Sequence, residues 1–340
     1  MSQYKEDILR IFEQELPWEK LSGTKILITG ATGLIGGCLV DALMMNSRRD
    51  YHVYASGRNE GRAKQRFKDY FYDAAFHFVK YDVLHPLQSD INFDYIIHAA
   101  SNANPKFYAT QPVEVMKANF DGVVNLMEYG LNHGMKRFLY VSSGEVYGEG
   151  DGRVFTEEYS GYVNSATPRA CYPSSKRATE TLCVSYAVEY GADVVIARPC
   201  HVYGPYFSDQ DNRVYAQFIR NVLRNENIVM KSTGEQFRSW CYVVDCVSAL
   251  FYILLKGACG EAYNIADEES NISIRELADK IAAIGGKKVV IDLPDISEKC
   301  GFNVVTRSVF STAKLEHLGW RAQNHISSGL SNTISELLLI

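Results

Sequence analysis

A glycine-rich stretch near the N-terminus constrains the fold of this chain more than any other feature. Residues 25–38 read KILITGATGLIGGC: an apolar run of strand length, a glycine turn and the beginning of a helix. The glycines Gly30, Gly33 and Gly36 recur every third residue. Such a turn lets the backbone approach a pyrophosphate closely, with the free N–H groups of the helix N-terminus directed at the negative charge. The stretch therefore predicts a strand–turn–helix unit that binds a dinucleotide.

The alternation of strand and helix continues through the first part of the chain. Predicted strands are His52–Ser56, Phe76–Tyr81, Asp94–Ala100, Arg137–Ser142 and Asp193–Arg198, and predicted helices are Leu34–Met45, Val113–Tyr129 and Tyr172–Tyr190. Strands that alternate with helices predict an α/β fold with a Rossmann-type doubly wound parallel sheet. Because right-handed crossovers place the carboxyl ends of the strands along one crevice, we expect the reacting groups there.

Beyond Pro199 the alternation is less regular, which predicts a second, smaller part of the fold. We divide the chain into an N-terminal helical extension (1–20), a dinucleotide-binding Rossmann domain (21–199) and a mainly substrate-binding lobe (200–340). Segments of the lobe are expected to return to the first domain. Within it, Ser273–Ala283 is predicted to be a helix, with Ser273 as N-cap and Glu276 completing a capping box.

Composition argues against several classes of partner. The net charge is −5 and there is no basic tract, so nucleic-acid binding has no electrostatic support. The longest apolar stretches are too short to span a bilayer, and the N-terminal residues are too charged for a signal peptide. The eight cysteines, at positions 38, 171, 183, 200, 241, 246, 259 and 300, include no CxxC pair. We expect reduced thiols, no metal site and a cytoplasmic enzyme or binding protein.

Two short motifs carry candidate chemistry. Tyr172 and Lys176 are four residues apart and share a face of the predicted helix, where the ammonium can stabilise a phenolate and lower the tyrosine pKa. The phenolate can accept a proton from a sugar hydroxyl. Ser143 and Glu145 directly follow a predicted strand, where they can bind a hydroxyl and transfer a proton. The alternatives are a half-buried tyrosine beside a solvated lysine, and a sequence that serves only its turn.

Five motifs together resemble one family. GATGLIGG, HAAS, SSGEVYG, YPSSK and ARPCHVYGP have the order and spacing found in extended short-chain dehydrogenases/reductases, in the NAD-dependent epimerase/dehydratase group. The resemblance extends from about Leu21 to Trp320 and implies a bound dinucleotide. The residues that it implies for dinucleotide binding are Gly30, Thr32, Gly33, Leu34, Ile35, Gly36, Arg58, Asn59, Asp82, Val83, Ala99, Ala100, Ser101, Asn119, Tyr172, Lys176 and Pro199.

The same resemblance implies a catalytic set and a substrate-binding set. Ser143, Tyr172 and Lys176 match the family's catalytic Ser/Thr, Tyr and Lys, and Glu145 stands where related enzymes have a functional glutamate. Arg238 matches an arginine that binds a nucleotide-sugar diphosphate, since guanidinium and phosphate pair bidentately. Further substrate-binding candidates, besides Ser143 and Glu145, are Lys106, His201 (in place of a common asparagine), Arg213 and Arg307. A surface or structural role is the alternative for Arg213 and Arg307.

The UDP-glucuronate decarboxylases are the branch that the chain resembles most, through residues 104–119, 168–172 and 212–214. Besides His201, two further positions depart from the family pattern. Gly144 stands where a 4,6-dehydratase has aspartate and where decarboxylases usually have serine. Gly57 stands where NAD-specific members have an acid for the ribose 2′-hydroxyl, and the following Arg58 is compatible with a 2′-phosphate. We expect NAD as cofactor, with NADP as the alternative.

The resemblance implies internal redox catalysis on a nucleotide-diphosphate sugar through a transient 4-keto sugar. Tyr172 removes the proton of the C4 hydroxyl, Ser143 holds the oxygen and Glu145 transfers protons. We expect decarboxylation; 4,6-dehydration, 4-epimerisation and NADPH-dependent 4-ketoreduction are alternatives, and a non-catalytic dinucleotide-binding protein is the alternative from another class. A homodimer is expected through Val113–Tyr129 and Tyr172–Tyr190, although the apolar faces of these helices can equally belong to the core.

Overall fold

The centre of the fold is a parallel sheet of seven strands. The structure, a computed structural model, describes residues 1–208, 211–293 and 306–339. The sheet contains β1 (Lys25–Thr29), β2 (His52–Gly57), β3 (Phe76–Lys80), β4 (Tyr95–His98), β5 (Arg137–Val141), β6 (Val194–Pro199) and β10 (Ala262–Ile265). Their order is β10-β6-β5-β4-β1-β2-β3, and every neighbouring pair is parallel. The predicted α/β fold with a doubly wound parallel sheet is confirmed.

Helices cover both faces of this sheet, so both faces of its strands are apolar. On β1, Ile26 and Ile28 belong to one buried cluster, whereas Leu27 belongs to the other. The first cluster includes α2 (Leu34–Met45) and α8 (Val243–Lys256), and the second includes α5 (Pro112–Asn132) and α6 (Cys171–Tyr190). The short α3 (Glu60–Arg66) connects β2 and β3. The three helices predicted in the first domain are confirmed, with ends that differ by at most a few residues.

The N-terminal extension differs from the prediction. Helix α1 covers only Gln3–Ile11, and a 3₁₀ helix, Trp18–Leu21, precedes β1. Pro17 lies between them and has no N–H with which to continue a helix. Tyr4 is buried in α1 and donates a hydrogen bond to Asp41 of α2 over 2.7 Å. The prediction of one helix over residues 1–20 is therefore right for the first half and wrong for the second.

Residues after Pro199 build a second sheet of four strands around β9 (Phe237–Tyr242). β9 pairs with β7 (His201–Tyr203) and β13 (Arg307–Ser308) in parallel and with β11 (Asp267–Ser273) in antiparallel orientation. The remaining elements are α4 (Pro105–Thr110), α7 (Val214–Leu223), β8 (Ile228–Met230), α9 (Ile274–Ile284), β12 (Val289–Ile291), α10 (Ala313–Glu316) and α11 (Ile326–Leu337). The capping box predicted for Ser273 and Glu276 is present at the start of α9.

Two predictions concern the chain as a whole. Within the described ranges, no helix combines the length and the apolar character needed to cross a membrane. The seven cysteines in those ranges are free thiols, and most of them are buried. Cys300 lies outside the described residues.

Candidate active site

The glycine turn lies against the carboxyl end of β4. Gly30 has a φ of +67°, and a Cβ at this position would lie 2.7 Å from the backbone of Ala99 and Ala100. A Cβ on Gly36 would lie 2.3 Å from the Gly30 carbonyl oxygen. Glycine fits at both positions because it has no Cβ, and at Gly30 it also permits the left-handed backbone conformation. The bare backbone leaves room for a pyrophosphate at the start of α2, which Leu34 and Ile35 open.

The end of β2 is the expected position of the adenosine ribose. Gly57 faces Thr32, and a Cβ at position 57 would lie 3.9 Å from the threonine side chain. Asn59 caps α3 by accepting a hydrogen bond from the Arg62 backbone N–H, and the Arg62 guanidinium donates to the Thr32 carbonyl over 3.1 Å. Arg58 is exposed. This corner thus combines two guanidinium groups with a glycine where an acid would discriminate against a 2′-phosphate. Arg62 was not among the residues predicted from the sequence.

Two loops complete the candidate dinucleotide crevice. After β3, Asp82 accepts a hydrogen bond from the Leu84 N–H, and Asn125 of α5 donates to the Val83 carbonyl over 2.8 Å. After β4, Ser101 donates to the side chain of the fully buried Asn119 over 2.8 Å. These contacts fix both loops on α5. The donor set and the uncovered glycine turn therefore fit a nicotinamide dinucleotide.

A hydrogen-bond chain continues from Asn119 to the candidate catalytic helix. Asn119 donates to Ser175 over 2.9 Å, and the Ser175 hydroxyl donates to the Tyr172 carbonyl over 3.0 Å. Pro199 ends β6 and pairs with Ile265 of β10. These hydrogen bonds connect the loop after β4 with the first turn of α6. The predicted dinucleotide-binding residues and the predicted catalytic residues are therefore held in fixed positions relative to each other.

Tyr172 and Lys176 are both buried, with 5% and 1% of their surface exposed. Burial raises the pKa of Tyr172 to about 12, while hydrogen-bonding interactions with Ser143 and Ser101 act in the opposite direction. Burial also lowers the pKa of Lys176 to about 7. The Lys176 ammonium donates to the Val141 carbonyl over 2.9 Å. The expectation that Lys176 lowers the tyrosine pKa is wrong for this structure, because desolvation dominates both groups.

Glu145 forms an ion pair that was not predicted from the sequence. Its carboxylate lies 2.9 Å from the Arg169 guanidinium. The Glu145 backbone N–H donates to the Ser143 hydroxyl over 3.2 Å, at the start of the 3₁₀ helix Gly144–Tyr147. Arg169 also lies over the ring of Tyr108, 5.0 Å from its centroid. Tyr108 in turn stacks on Tyr172, so Glu145 and Tyr172 are connected through two neighbouring side chains.

Arg169 and Tyr108 lie inside the stretches through which the sequence resembles decarboxylases. Each belongs to a short helical segment: Tyr108 to α4 and Arg169 to the 3₁₀ helix Pro168–Ala170. Their positions near the catalytic pair could have been anticipated from those segments. The pairing partners could not, because they depend on the path of the two loops.

The predicted cationic residues fall into two groups. Arg238 is buried and within electrostatic reach of Glu145; burial lowers its pKa and Glu145 opposes this effect. Arg213 pairs with Asp211, its Nε lying 2.9 Å from one carboxylate oxygen, and it acts to lower the Tyr172 pKa. Lys106 and Arg307 are exposed, although Arg307 lies over the ring of Phe237, beside Arg238. The structure therefore brings Arg213 and Arg238 toward Tyr172 and Glu145 and leaves Lys106 at the surface.

His201 begins β7 of the second sheet and lies within electrostatic reach of Arg238 and Arg213. Burial lowers its pKa to about 3, with further contributions from Arg238 and Arg213. Its buried Nδ1 has no hydrogen-bond partner among the described residues. The ring is therefore neutral and offers a hydrogen-bonding atom to a molecule that reaches it.

A buried network holds the loop that carries Ser143 and Glu145. Glu180 of α6 accepts hydrogen bonds from Ser142 over 2.5 Å and from Arg198 over 2.7 Å. Arg198 donates to the Tyr147 hydroxyl, and Tyr147 donates to Asn264 of β10 over 2.5 Å. Because the buried charges are paired and hydrogen-bonded, the network fixes both ends of this loop.

Comparisons with known proteins agree with this architecture. The sequence profile of the NAD dependent epimerase/dehydratase family matches residues 26–266. UDP-glucuronic acid decarboxylase 1 of Xenopus tropicalis is 32% identical over 337 residues, covering 97% of this chain and 76% of the relative. UDP-glucuronic acid decarboxylase 6 of Arabidopsis thaliana is 34% identical over 317 residues, covering 91% and 87%.

Solved structures give the same result for the fold. UDP-glucose 4-epimerase from Thermotoga maritima, determined with UDP-glucose, superposes with a TM-score of 0.78 at 25% identity and covers 93% of this chain and 99% of that one. dTDP-glucose 4,6-dehydratase from Bacillus anthracis also gives a TM-score of 0.78, at 22% identity, covering 93% and 97%. The glycine turn, the profile match and the identity to curated relatives lead to one conclusion: the chain belongs to the NAD dependent epimerase/dehydratase family.

Proposed function

We propose that this protein is a nucleotide-sugar enzyme that decarboxylates a UDP-glucuronate-like substrate through a 4-keto intermediate. The observation that carries the proposal is the convergence of Ser143, Tyr172 and Glu145 with the buried Arg238. This set combines a hydroxyl, a phenol and a carboxylate with a cation that can pair with a diphosphate. The proposal is also supported by relatives that are named UDP-glucuronic acid decarboxylases and that align with nearly the whole chain.

Each side chain of the site has a role that follows from its chemistry. Tyr172, as its phenolate, takes the proton of the C4 hydroxyl and Ser143 holds that oxygen. Because burial raises the pKa of Tyr172, the phenolate depends on nearby positive charge, which Lys176, fixed by the Val141 carbonyl, and a bound oxidised nicotinamide would supply. The glycine turn and the loops after β3 and β4 would hold the dinucleotide, whose nicotinamide would supply reversible hydride transfer at C4 when bound. Glu145, with its carboxylate held by Arg169, transfers a proton at the neighbouring carbon. A 4-ketone weakens the bond to a C5 carboxylate, because the electron pair that remains after CO₂ departs is delocalised onto the ketone oxygen.

The proposal is tested by mass analysis of products from a panel of UDP-, dTDP-, GDP- and CDP-sugars. We expect loss of the mass of CO₂ from UDP-glucuronate. Tyr172→Phe should abolish turnover, and Tyr72→Phe, at an exposed tyrosine, is the matched control. Full turnover by Tyr172→Phe would contradict the proposed role of Tyr172 in catalysis. A mass-neutral product with altered retention would instead indicate 4-epimerisation.

We propose NAD as the resident dinucleotide, supported by the family to which the chain belongs. NADP is the second candidate, because Gly57 stands in place of the acid that would repel a 2′-phosphate. Arg58 and Arg62 lie at the same end of β2 and can pair with that phosphate. A net NADPH-dependent 4-ketoreductase is the function that this candidate would favour. Denaturing the purified protein and weighing the released nucleotide distinguishes the two. Dissociation constants for NADH and NADPH should differ by less than about tenfold, and Gly57→Asp should weaken NADPH selectively by more than that factor.

We further propose a cytoplasmic homodimer that pairs through α5 and α6. These helices pack on each other and still expose the apolar side chains of Val113, Met116, Phe120, Val184 and Val188. Exposed apolar patches of this kind typically mark protein interfaces. Sedimentation equilibrium should give twice the chain mass, and Val188→Glu with Met116→Glu should give a monomer. A wild-type monomer at all concentrations would contradict the proposal.

A further inference from the structure

Gly144 and Phe310 form a contact that dinucleotide binding does not explain. Gly144 begins the 3₁₀ helix between Ser143 and Glu145. A Cβ at position 144 would lie 2.1 Å from Cζ of Phe310 and 2.5 Å from its Cε1. Two carbon atoms attract each other at about 3.5–4.0 Å and repel strongly below that distance. The edge of the phenyl ring therefore occupies the volume that any side chain at position 144 would need.

Packing and hydrogen bonds hold the Phe310 ring in its position against Gly144. It is 2% exposed and packs edge-on against the rings of Tyr147 and Phe155, at 5.5 and 5.7 Å between centroids. Its backbone N–H donates to Ser239 over 3.0 Å. The flanking residues are fixed as well, since Phe155 exchanges backbone hydrogen bonds with Val309 and Ser311 over 2.7 and 2.9 Å. A ring held on these sides can move away from Gly144 only if the surrounding cluster is rearranged.

The contact limits the chemistry of the turn. Of the positions between Ser143 and Val146, only Glu145 carries a carboxylate, and it is paired with Arg169. Elimination of water across C5–C6 of a hexose breaks a C5–H bond and a C6–O bond; one group takes the C5 proton and a proton must be delivered to the leaving hydroxyl. Loss of CO₂ breaks the C5–C6 bond instead, and only C5 then needs a proton. A turn with a single carboxylate suits the second reaction better than the first.

We propose that Phe310 is a specificity-determining residue that keeps position 144 without a side chain and so restricts this turn to one proton-transferring carboxylate, Glu145. The packing part of the proposal stands on the contact alone. Its consequence for the reaction rests on the proposed action on nucleotide sugars. Phe310 contributes to the reaction through volume, so its substitution changes the products only in combination with a side chain at position 144.

Thermal unfolding of a double-mutant cycle tests the packing. Gly144→Ala should lower the melting temperature by about 2–4 °C in the wild-type background. The loss should be less than half as large in a Phe310→Leu background, because leucine lacks the ring atoms nearest to position 144. Gly61→Ala is the control, since its Cβ would meet only the Asn59 side chain, at 3.4 Å; its effect should be the same in both backgrounds. Equal losses for Gly144→Ala in both backgrounds overturn the proposal.

Product analysis tests the consequence for the reaction. With dTDP-glucose and UDP-glucose, the wild type and the single variants Gly144→Asp and Phe310→Leu should form no product lighter by the mass of water. The double variant should form it. A water-loss product from the wild type or from Gly144→Asp alone overturns the specificity role and leaves the nucleotide-sugar function standing. If the wild type converts no sugar at all, the proposed function fails, and the unfolding cycle still decides whether Phe310 excludes a side chain at position 144.

Discussion

Tyr108 stacks on Tyr172, with 4.8 Å between ring centroids and 21° between ring planes. The stack places a residue of the short helix α4 directly on the candidate proton acceptor. Because Arg169 lies over the same Tyr108 ring, one aromatic side chain connects the phenol of Tyr172 with the ion pair of Glu145. The face of Tyr172 that the stack covers becomes accessible only when Tyr108 moves.

Chemical nitration of tyrosine can test the stack. In the absence of ligands, we expect Tyr172 to resist tetranitromethane in the wild type, because it is buried and its pKa is raised to about 12. Tyr108→Ala should expose it and increase its nitration several-fold, as measured by peptide mass mapping. Tyr108→Phe preserves the ring and is the control. Equal nitration of Tyr172 in all three proteins would show that Tyr108 does not cover it.

The buried lysine predicts a pH dependence of stability. The pKa of Lys176 is about 7 in the folded state and 10.5 in the reference state. Between these values the unfolded chain binds more protons than the folded one, so this group makes the wild type more stable as the pH rises. Lys176→Met should therefore be stabilised relative to the wild type near pH 7, by an amount that shrinks by up to about 1.4 kcal/mol per pH unit toward pH 10.

The measurement is the free energy of unfolding by urea at a series of pH values. Lys106→Met, at an exposed position, is the matched control. The prediction is contradicted if the difference between the wild type and Lys176→Met stays constant or grows as the pH rises.

The glycine turn predicts that Gly30→Ala lowers the stability more than Gly134→Ala, although both substitutions place alanine in a left-handed backbone conformation. Gly30 and Gly134 have φ values of +67° and +70°, but a Cβ on Gly134 would meet no atom within 4 Å. Gly134→Ala should cost about 1–2 kcal/mol, the penalty of the left-handed conformation. Gly30→Ala adds a clash with Ala99 and Ala100, and should cost more and abolish dinucleotide binding. Chemical denaturation and NADH fluorescence measure the two effects, and similar stability losses in both variants would contradict the clash.

The buried arginine predicts a loss of affinity for the diphosphate. Hydrogen bonds to charged groups contribute about 1.5–3 kcal/mol, so Arg238→Gln should weaken UDP binding roughly 10- to 100-fold. Arg307→Gln, at an exposed arginine over Phe237, should weaken it less. Titration calorimetry with UDP gives both constants. A larger loss of UDP affinity in Arg307→Gln than in Arg238→Gln would contradict the assignment of diphosphate binding to Arg238.

Local sequence patterns were sufficient to predict six of the seven strands of the parallel sheet, whereas β10 was not predicted. The limits of β1, the start of α2 and the capping box of α9 follow from hydrophobic periodicity and from residues that are neighbours in the chain. The Tyr172–Lys176 pair also follows from helical spacing. The protonation of that pair could not be predicted, because it depends on burial by residues distant in the sequence. The ion pair of Glu145 and the ring of Phe310 were missed for the same reason.

The bridge between Phe155 and Phe310 also has a consequence for synthesis of the chain on the ribosome. The segments that carry the glycine turn, Ser143 and Tyr172 leave the ribosome well before Phe310 does. Until that residue emerges, the turn at Gly144 lacks the ring that covers it, and Phe155 lacks its backbone partners at Val309 and Ser311. Contacts between residues so far apart in sequence form late and slow folding. A nascent chain can therefore build six strands of its Rossmann sheet early, whereas its catalytic turn reaches the packed state only after Phe310 has emerged.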